Sequence, residues 1–449
     1  MEIITGGTFD SWWKLHASQG SREHEETEET VREIIAAVRA CGDEALIRYG
    51  KKFDRSSPRN VEVPGKVAEE AWRNLSRDEA DLSAALTLAA EHIRRFSEEQ
   101  RRQFKDFEYP MGEGLVTGQR IVPLSRAAIY VPAGRFPLIS TALMGLVPAM
   151  IAGTGELLLV SPPLEDGIPD RRILGAAWIA RRVCNSNAVL RFFAMGGAQA
   201  IAALALGTER VPRCDIIAGP GNRYTAAAKR QLYGEVGIDF VAGPTDVLII
   251  ADKKTGNAET IAADMLAQAE HDADARARAL VPDRDMADSI SAAIEKRLSL
   301  LSAGNPAPAS LDAGGLIVLY RDREEAIRIA NAIAPEHLEL QLEDPDQWIP
   351  SLVNYGSLFI GSLSAEALGD YSAGINHTLP TSGSARFTGG LSVRHFLKTL
   401  TSLRCERGAA FELARKSAET IAKAEGLEAH AQSAALRSAL SREEADGIR

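Results

Sequence analysis

At 449 residues the chain exceeds what one ordinary hydrophobic core holds, and roughly two to four domains are expected. Its composition, 45% hydrophobic and 25% charged with few aromatics, is that of a soluble globular protein. A formal net charge of −10 argues against nucleic-acid binding, which needs positive surface, but a local basic cluster could still meet an anionic substrate. Cys41, Cys184, Cys214 and Cys405 are scattered without CxxC spacing, so reduced thiols in a cytoplasmic protein are expected rather than a disulfide framework. The start, MEIITGGTFDSWWKL, lacks the pattern of a secretory signal. The longest apolar stretch, around 139–152, is too short and interrupted to span a bilayer.

In chain order, residues 25–108 are rich in Glu, Arg and Ala with helical periodicity, broken at SSPRN (56–60) and Pro64-Gly65. From 119 to 250 short apolar runs ending in Gly or Pro alternate with Ala-rich helical runs. AAIYVPAG precedes a helix through TALMGLVPAMIAG, and ELLLVSPP precedes one near 170–183. NAVLRFFAMGG leads into AQAIAALALG, and CDIIAGPGN into RYTAAAKRQLYG. Strand, glycine turn, helix, repeated, is the βαβ pattern of a mostly parallel sheet. After FVAGPTDVLIIAD come a helix over 257–271, a strand in ARALVPD and further strands in GLIVLY, HLELQ and GSLFI. With a helix at 321–333, they point to a second α/β sheet. A Gly/Ser/Thr-rich loop follows at 376–398. From about 405 the chain is predicted helical, with so little apolar surface that it must pack on the body or on a partner subunit.

Four of the eight histidines stand beside a carboxylate or amide: QAEH ends at His271, PEH at His337, GDYSAGINH at His377 and EGLEAH at His430. Such neighbours suit a site that binds a metal and moves protons near neutral pH. Gln268 and His271, three apart on a predicted helix, project from one face and would make half of a metal site; a solvated helix end carries the same residues. Glu336 beside His337 could serve as a general-base pair, or could be ordinary charge at a loop–strand junction. GDYSAGINHTLPT (369–381) joins Asp370, Asn376 and His377 to glycines that let backbone approach a ligand. Gln268, His271, Asp370 and His430 would make an all N/O site, compatible with zinc without a thiolate, and no HExxH motif is present. GxGxxG is absent as well, although GGAQ (196–199) and GPGN (219–222) each end a strand and open a helix. That geometry offers backbone N–H groups to an anion such as pyrophosphate, or makes a plain βα turn.

Taken jointly, the segments resemble the histidinol dehydrogenase family from roughly residue 25 to about 440. YVPAG (130–134), GGAQAIAALALGTE (196–209), GPGN, AGPTDVLIIAD (242–252), QAEH, PEH, GDYSAGINHTLPT and EGLEAH occur in family order. The resemblance implies a zinc-containing enzyme, one ion per subunit, that takes a small polar primary alcohol through the aldehyde to the acid with two NAD. L-Histidinol is the lead substrate, which would place the enzyme in amino-acid biosynthesis. It implies zinc ligands Gln268, His271, Asp370 and His430, and an acid/base pair Glu336 and His337. Tyr130, Gln199 and Asn222 match NAD-contacting positions. Thr245, His337, Glu425 and the zinc ligands match substrate-contacting ones, with His377 in the same loop. A homodimer is implied whose tail supplies Glu425 and His430 across the interface.

The fold expected is α/β, with two Rossmann-like parallel-sheet domains lacking GxGxxG, an N-terminal helical segment and a C-terminal helical tail. Residues 1–25 would be an arm, 26–127 with 244–390 the first α/β domain, 128–243 the second, NAD-contacting one, and 391–449 a dimer-swapped tail. Several positions depart from the biosynthetic pattern: Thr245 stands for a serine, YVPAGRFP for YVPGG, and ARFTGGLSVRHFLKTLT (385–401) is closer to paralogues such as sulfopropanediol dehydrogenases. An anionic substrate would want an added cation from Arg135, Arg223 or His395. A non-catalytic ligand binder and a metal-dependent hydrolase are the competing classes.

Overall fold

The computed structural model describes residues 1–16, 21–56, 60–133 and 137–446. The chain opens with β1 (Glu2–Thr5), α1 (Gly6–His16), α2 (Ser21–Phe53), β2 (Glu62–Val63), α3 (Gly65–Asp78) and α4 (Ala80–Arg102). A hairpin follows, β3 (Phe107–Gly112) and β4 (Leu115–Pro123), before a βα series. That series is β5 (Arg126–Tyr130), α5 (Ile139–Ala152), β6 (Glu156–Ser161), α6 (Arg171–Val183), β7 (Val189–Ala194), α7 (Gly197–Leu206), β8 (Ile216–Ala218), α8 (Arg223–Leu232) and β9 (Gly237–Ile238). A second series comprises β10 (Asp246–Ala251), α9 (Ala258–Ala269), β11 (Arg276–Val281), α10 (Arg284–Leu298), α11 (Ala307–Gly314), β12 (Leu316–Leu319), α12 (Arg323–Ile333), β13 (His337–Gln341), β14 (Ser357–Ile360) and α13 (Glu366–Tyr371). The chain closes with β15 (Leu397–Cys405), α14 (Ala409–Ala424) and α15 (Glu428–Asp446).

Two compact units result, Met1–Gln100 with Leu124–Phe396, and Arg101–Pro123 with Leu397–Arg449. The first unit holds two six-stranded sheets, so the α/β class with parallel sheets is as expected. One has the order β2-β7-β6-β5-β8-β9, parallel except for the β2 edge; the other is β1-β12-β11-β10-β13-β14, parallel throughout. Strands such as ELLLVS and DVLIIA are buried on both faces, which is why they read as continuous apolar runs. Helix α5 is buried nearly all round. It lies so close to β5 that a Cβ on Gly145 would sit 2.3 Å from Ile129 Cγ2.

The domain boundaries differ from those expected. Residues 26–78 pack on the sheet of 128–243 instead: β2 pairs with β7, α2 packs on α7 and α8, and α3 packs on α6, whereas His92 of α4 does reach Ser372 O (2.7 Å). The N-terminal arm is part of the second sheet, because β1 adds to β12. Periodicity shows that a helix has an apolar stripe but not which sheet the stripe covers.

In the second unit β4 pairs antiparallel with β3 and with β15, a sheet absent from the expected fold. Helices α14 and α15 pack on each other, and α14 also packs on β3, so the tail has a small sheet beneath it. Among the described residues no helix is long and apolar enough to cross a membrane.

Candidate active site

The site in the first unit lies at the amino edge of the β10–β13 pair. Thr245 leads into β10 and Glu336 immediately precedes β13; parallel pairing of Val247 with His337 brings them side by side. Glu336 is buried, and its Oε2 accepts from the Thr245 hydroxyl and from the Asp246 N–H (3.2 Å). The Glu336 N–H donates to Asp246 Oδ1 (3.1 Å), which fixes the backbone at the catalytic candidate. Burial pushes the Glu336 carboxyl up to about 7, against the pull of His337.

His337 is 3% exposed. Its Nδ1 lies 3.4 Å from Asp246 O and 3.5 Å from Glu366 Oε1, and its Nε2 lies 3.4 Å from Asp370 Oδ1 without a hydrogen-bond partner. Burial disfavours the imidazolium, but the carboxylates of Glu366, Glu336 and Asp370 outweigh it and hold His337 well above its ordinary value. Asp370 is lowered despite burial, because His337 beside it favours its charged form.

Gln268 stands in the last turn of α9, and His271 lies just beyond the helix, exposed. The Gln268 amide is satisfied when its oxygen, beside the Thr245 hydroxyl, accepts from the Asp246 N–H (3.0 Å) and its nitrogen donates to the Glu366 carboxylate. Thr245 Oγ1 thus stands between Glu336 and Gln268. His271, Glu366 and Asp370 each bring a donor atom within 4.8 Å of the others. His377 presents Nδ1 to Asp370 O (2.9 Å) and Nε2 to the Thr141 hydroxyl (3.2 Å) at the start of α5, and burial lowers its affinity for a proton. Asn376 Nδ2 donates to Met144 O (2.7 Å), so this loop ties the site to the other sheet.

On that sheet the NAD candidates stand at carboxyl ends of parallel strands, where open α/β sheets place ligands. The Tyr130 hydroxyl accepts from the Gly197 N–H (3.2 Å), and burial raises its pKa to about 12. Gln199 is buried in the first turn of α7. Asn222 caps α8, its side-chain oxygen accepting from the N–H groups of Tyr224 and Thr225.

Glu425 and His430, both exposed, belong to the second unit. Arg135 lies outside the described residues. Arg223 reaches over the Tyr224 ring, 5.4 Å from its centroid. Burial lowers the His395 pKa, which disfavours the imidazolium that an added cation would require.

Two acids escaped the sequence reading. Glu366 is buried between Gln268 and His337, its carboxyl raised well above normal by burial and then by neighbouring carboxylates. Its position four residues before Asp370, one helical turn away, was the available signal. Asp54 lies against the Gly196 turn, where burial lifts it to about 6 while bonds from Gly196 and Gln199 oppose the shift.

The histidinol dehydrogenase family profile matches residues 17–438. A histidinol dehydrogenase of Thermus thermophilus is 48% identical over 411 residues, covering 91% of this chain and 94% of its own. That of Aquifex aeolicus is 42% identical over 433 residues, covering 95% and 97%. A crystal structure of histidinol dehydrogenase from Elizabethkingia anophelis superposes with a TM-score of 0.88 at 32% identity, over 98% of both chains.

Proposed function

The chain belongs to the histidinol dehydrogenase family, and on that premise we propose that it oxidises L-histidinol through the aldehyde to L-histidine, with NAD as acceptor and one zinc ion per subunit. One observation supports this most directly: His337 is buried with an unpartnered Nε2, beside Glu336 and facing Asp370. A substrate hydroxyl would complete that nitrogen.

His271 and Asp370 fit a zinc ion, since their donor atoms and that of Glu366 lie within 4.8 Å of one another, and Gln268, bonded to Glu366, would turn its amide oxygen to the ion as a further ligand. His430 of the partner subunit would be the fourth ligand and Glu425 of the partner subunit a substrate contact, which makes the homodimer the working unit. Bound zinc would supply a Lewis-acidic template that orients the substrate's polar groups. Tyr130, Gln199 and Asn222 fit NAD, at strand ends beside a glycine turn and two helix N-termini; NAD would take a hydride in each of two oxidations.

The chain's own residues handle the protons. His337, in its neutral form, accepts the alcohol proton at Nε2 as the C–H hydride leaves. Glu336, ionised, takes a proton from the water that attacks the aldehyde carbon, and a second hydride loss gives the acid. Thr245 holds the Glu336 carboxylate in place through its hydroxyl, as a serine would. Keeping the aldehyde between steps avoids releasing a reactive intermediate. The relatives described above all carry the histidinol dehydrogenase name, and no observation favours a sulfonated diol, a non-catalytic binder or a hydrolase.

The test is NAD reduction by the zinc-loaded enzyme across L-histidinol and sulfonated or phosphorylated diols. Two NADH per histidinol are expected. Turnover of a diol with none of histidinol would overturn the substrate, and turnover without NAD would overturn the class.

A further inference from the structure

A closed ring of polar contacts lies next to the GPGN turn. Gly219, which follows β8, has φ +110, and a Cβ there would fall 2.1 Å from Tyr130 O, so only glycine allows this approach to the end of β5. Its N–H donates to Asp239 Oδ2 (2.7 Å) and its carbonyl accepts from Lys229 Nζ (2.7 Å). Lys229 and Asp239 are themselves joined (2.5 Å), with both side chains buried. Asp239 Oδ1 also accepts from the Phe240 N–H (2.8 Å). Both polar groups of one residue are thus held by one buried ion pair.

A buried ion pair is weak evidence for stability, because desolvation offsets much of the attraction, and packed apolar side chains often do as well. What the pair adds is direction. Lys229 lies on α8 seven residues past Asn222, and Asp239 comes directly after β9. Together they fix where the turn leaves β8 and so where Pro220, Gly221 and Asn222 stand. The Asn222 oxygen is committed to Tyr224 and Thr225, which leaves its amide nitrogen as the remaining donor, at a position set by this ring. Beyond Asp239 the chain crosses to the other sheet through Gly243, whose N–H donates to Thr381 Oγ1, and ends on Thr245.

We propose that Lys229 and Asp239 are a positioning pair for the dinucleotide: by gripping Gly219 they hold the turn that presents Asn222 beside Tyr130, and so set NAD affinity ahead of binding. The inference rests on the reading of NAD at Tyr130, Gln199 and Asn222. Preorganisation of this kind raises affinity by removing the ordering cost at the moment of binding.

Lys229→Met, Asp239→Asn and the double variant test it, with NADH affinity measured by fluorescence titration alongside steady-state kinetics. The KM for NAD and the Kd for NADH are expected to rise by about tenfold in each single variant. The histidinol KM, kcat and bound zinc should change much less. In the double variant, which buries no lone charge, the loss should persist. Equal decline of every parameter would mean a purely structural role and overturn the inference, as would unaltered NADH affinity in the folded double variant. Should the variants not fold, hydrogen exchange on the unaltered enzyme still decides. Slow exchange over 216–222 before NAD is added supports a preformed turn, and protection only after NAD overturns it. No NADH binding by the unaltered enzyme would instead bring down the NAD reading and this inference together.

Discussion

Glu339→Gln should flatten the pH dependence of stability. Glu339 lies on β13, 2% exposed, hydrogen-bonded to Asp264 of α9, while its Oε1 accepts from the Glu366 N–H (3.0 Å) at the start of α13. It therefore joins the three elements that carry Gln268, His337 and Asp370. Burial, and then the charge of Asp264, push Glu339 up to about 8; burial lifts Asp264 to about 6. The pair shares a proton through neutral pH, because two charged carboxylates in that position would repel. Both folded-state values lie above the ordinary 3.8 and 4.5, so across the interval from about 4 to about 8 the folded protein binds more protons than the unfolded chain. The pair's contribution is full below that interval and is lost as pH rises through it. For Glu339, the loss is of the order of a few kcal/mol. Glutamine keeps the acceptor for Glu366 and gives Asp264 a donor that does not titrate. Thermal unfolding in chelator, followed by circular dichroism at pH steps from 5 to 9, reads the pair together with Glu366, whose carboxyl feels the charge of Glu339. The wild-type midpoint should fall relative to the variant's by about 5 °C toward the alkaline end. Parallel midpoint curves would refute the shared proton, and a variant lower by the same margin at every pH would show a packing defect instead.

Two further outcomes concern the reaction. Because both bases act deprotonated and are raised, His337 well above its ordinary value and Glu336 to about 7, kcat should climb with pH through neutrality to an alkaline plateau. Glu336→Gln should lower turnover by about 10²–10⁴-fold and drop the NADH yield per histidinol from two toward one; an unchanged yield would remove Glu336 from the water step. If sites are shared between subunits, mixing inactive His337→Asn and His430→Ala proteins should restore about a quarter of wild-type activity through mixed dimers with one intact site. No recovery in verified mixed dimers would place each site within one subunit.

The parallel sheets were legible because strands buried on both faces leave runs such as LLLV and VLII. The antiparallel sheet of the second unit was not. Its strands are largely exposed, so FEYPMG and LKTLTSLRC lack an apolar run, and β15 pairs with a strand more than 270 residues earlier in the chain. Among 61 acidic residues, nothing in the sequence distinguishes a buried Asp54 from those on the surface. His271, Glu336, His337 and Asp370 were conspicuous because each stands in a short polar motif. Glu366 stands among Ala and Leu and gave only its spacing from Asp370.

That spacing belongs to a longer pattern. His337, Glu339 and Gln341 alternate along β13 and so share one face, about 6.6 Å apart. Thr260, Asp264 and Gln268 recur every fourth residue along α9 and also share one face, about 6 Å apart. The two repeats nearly match, and they run in opposite directions. Thr260 reaches Gln341 (3.2 Å), Asp264 meets Glu339, and Gln268 meets His337 through the carboxylate of Glu366. A slip of α9 by one turn would leave these polar side chains facing buried partners of the wrong kind, at a cost of about 1–3 kcal/mol for each group left unsatisfied. An apolar interface would tolerate such a slip far better, since dispersion has no direction. The seam accordingly fixes the amide of Gln268 relative to the imidazole of His337, and the reacting end of the site inherits its geometry from polar pairs that take no part in the chemistry.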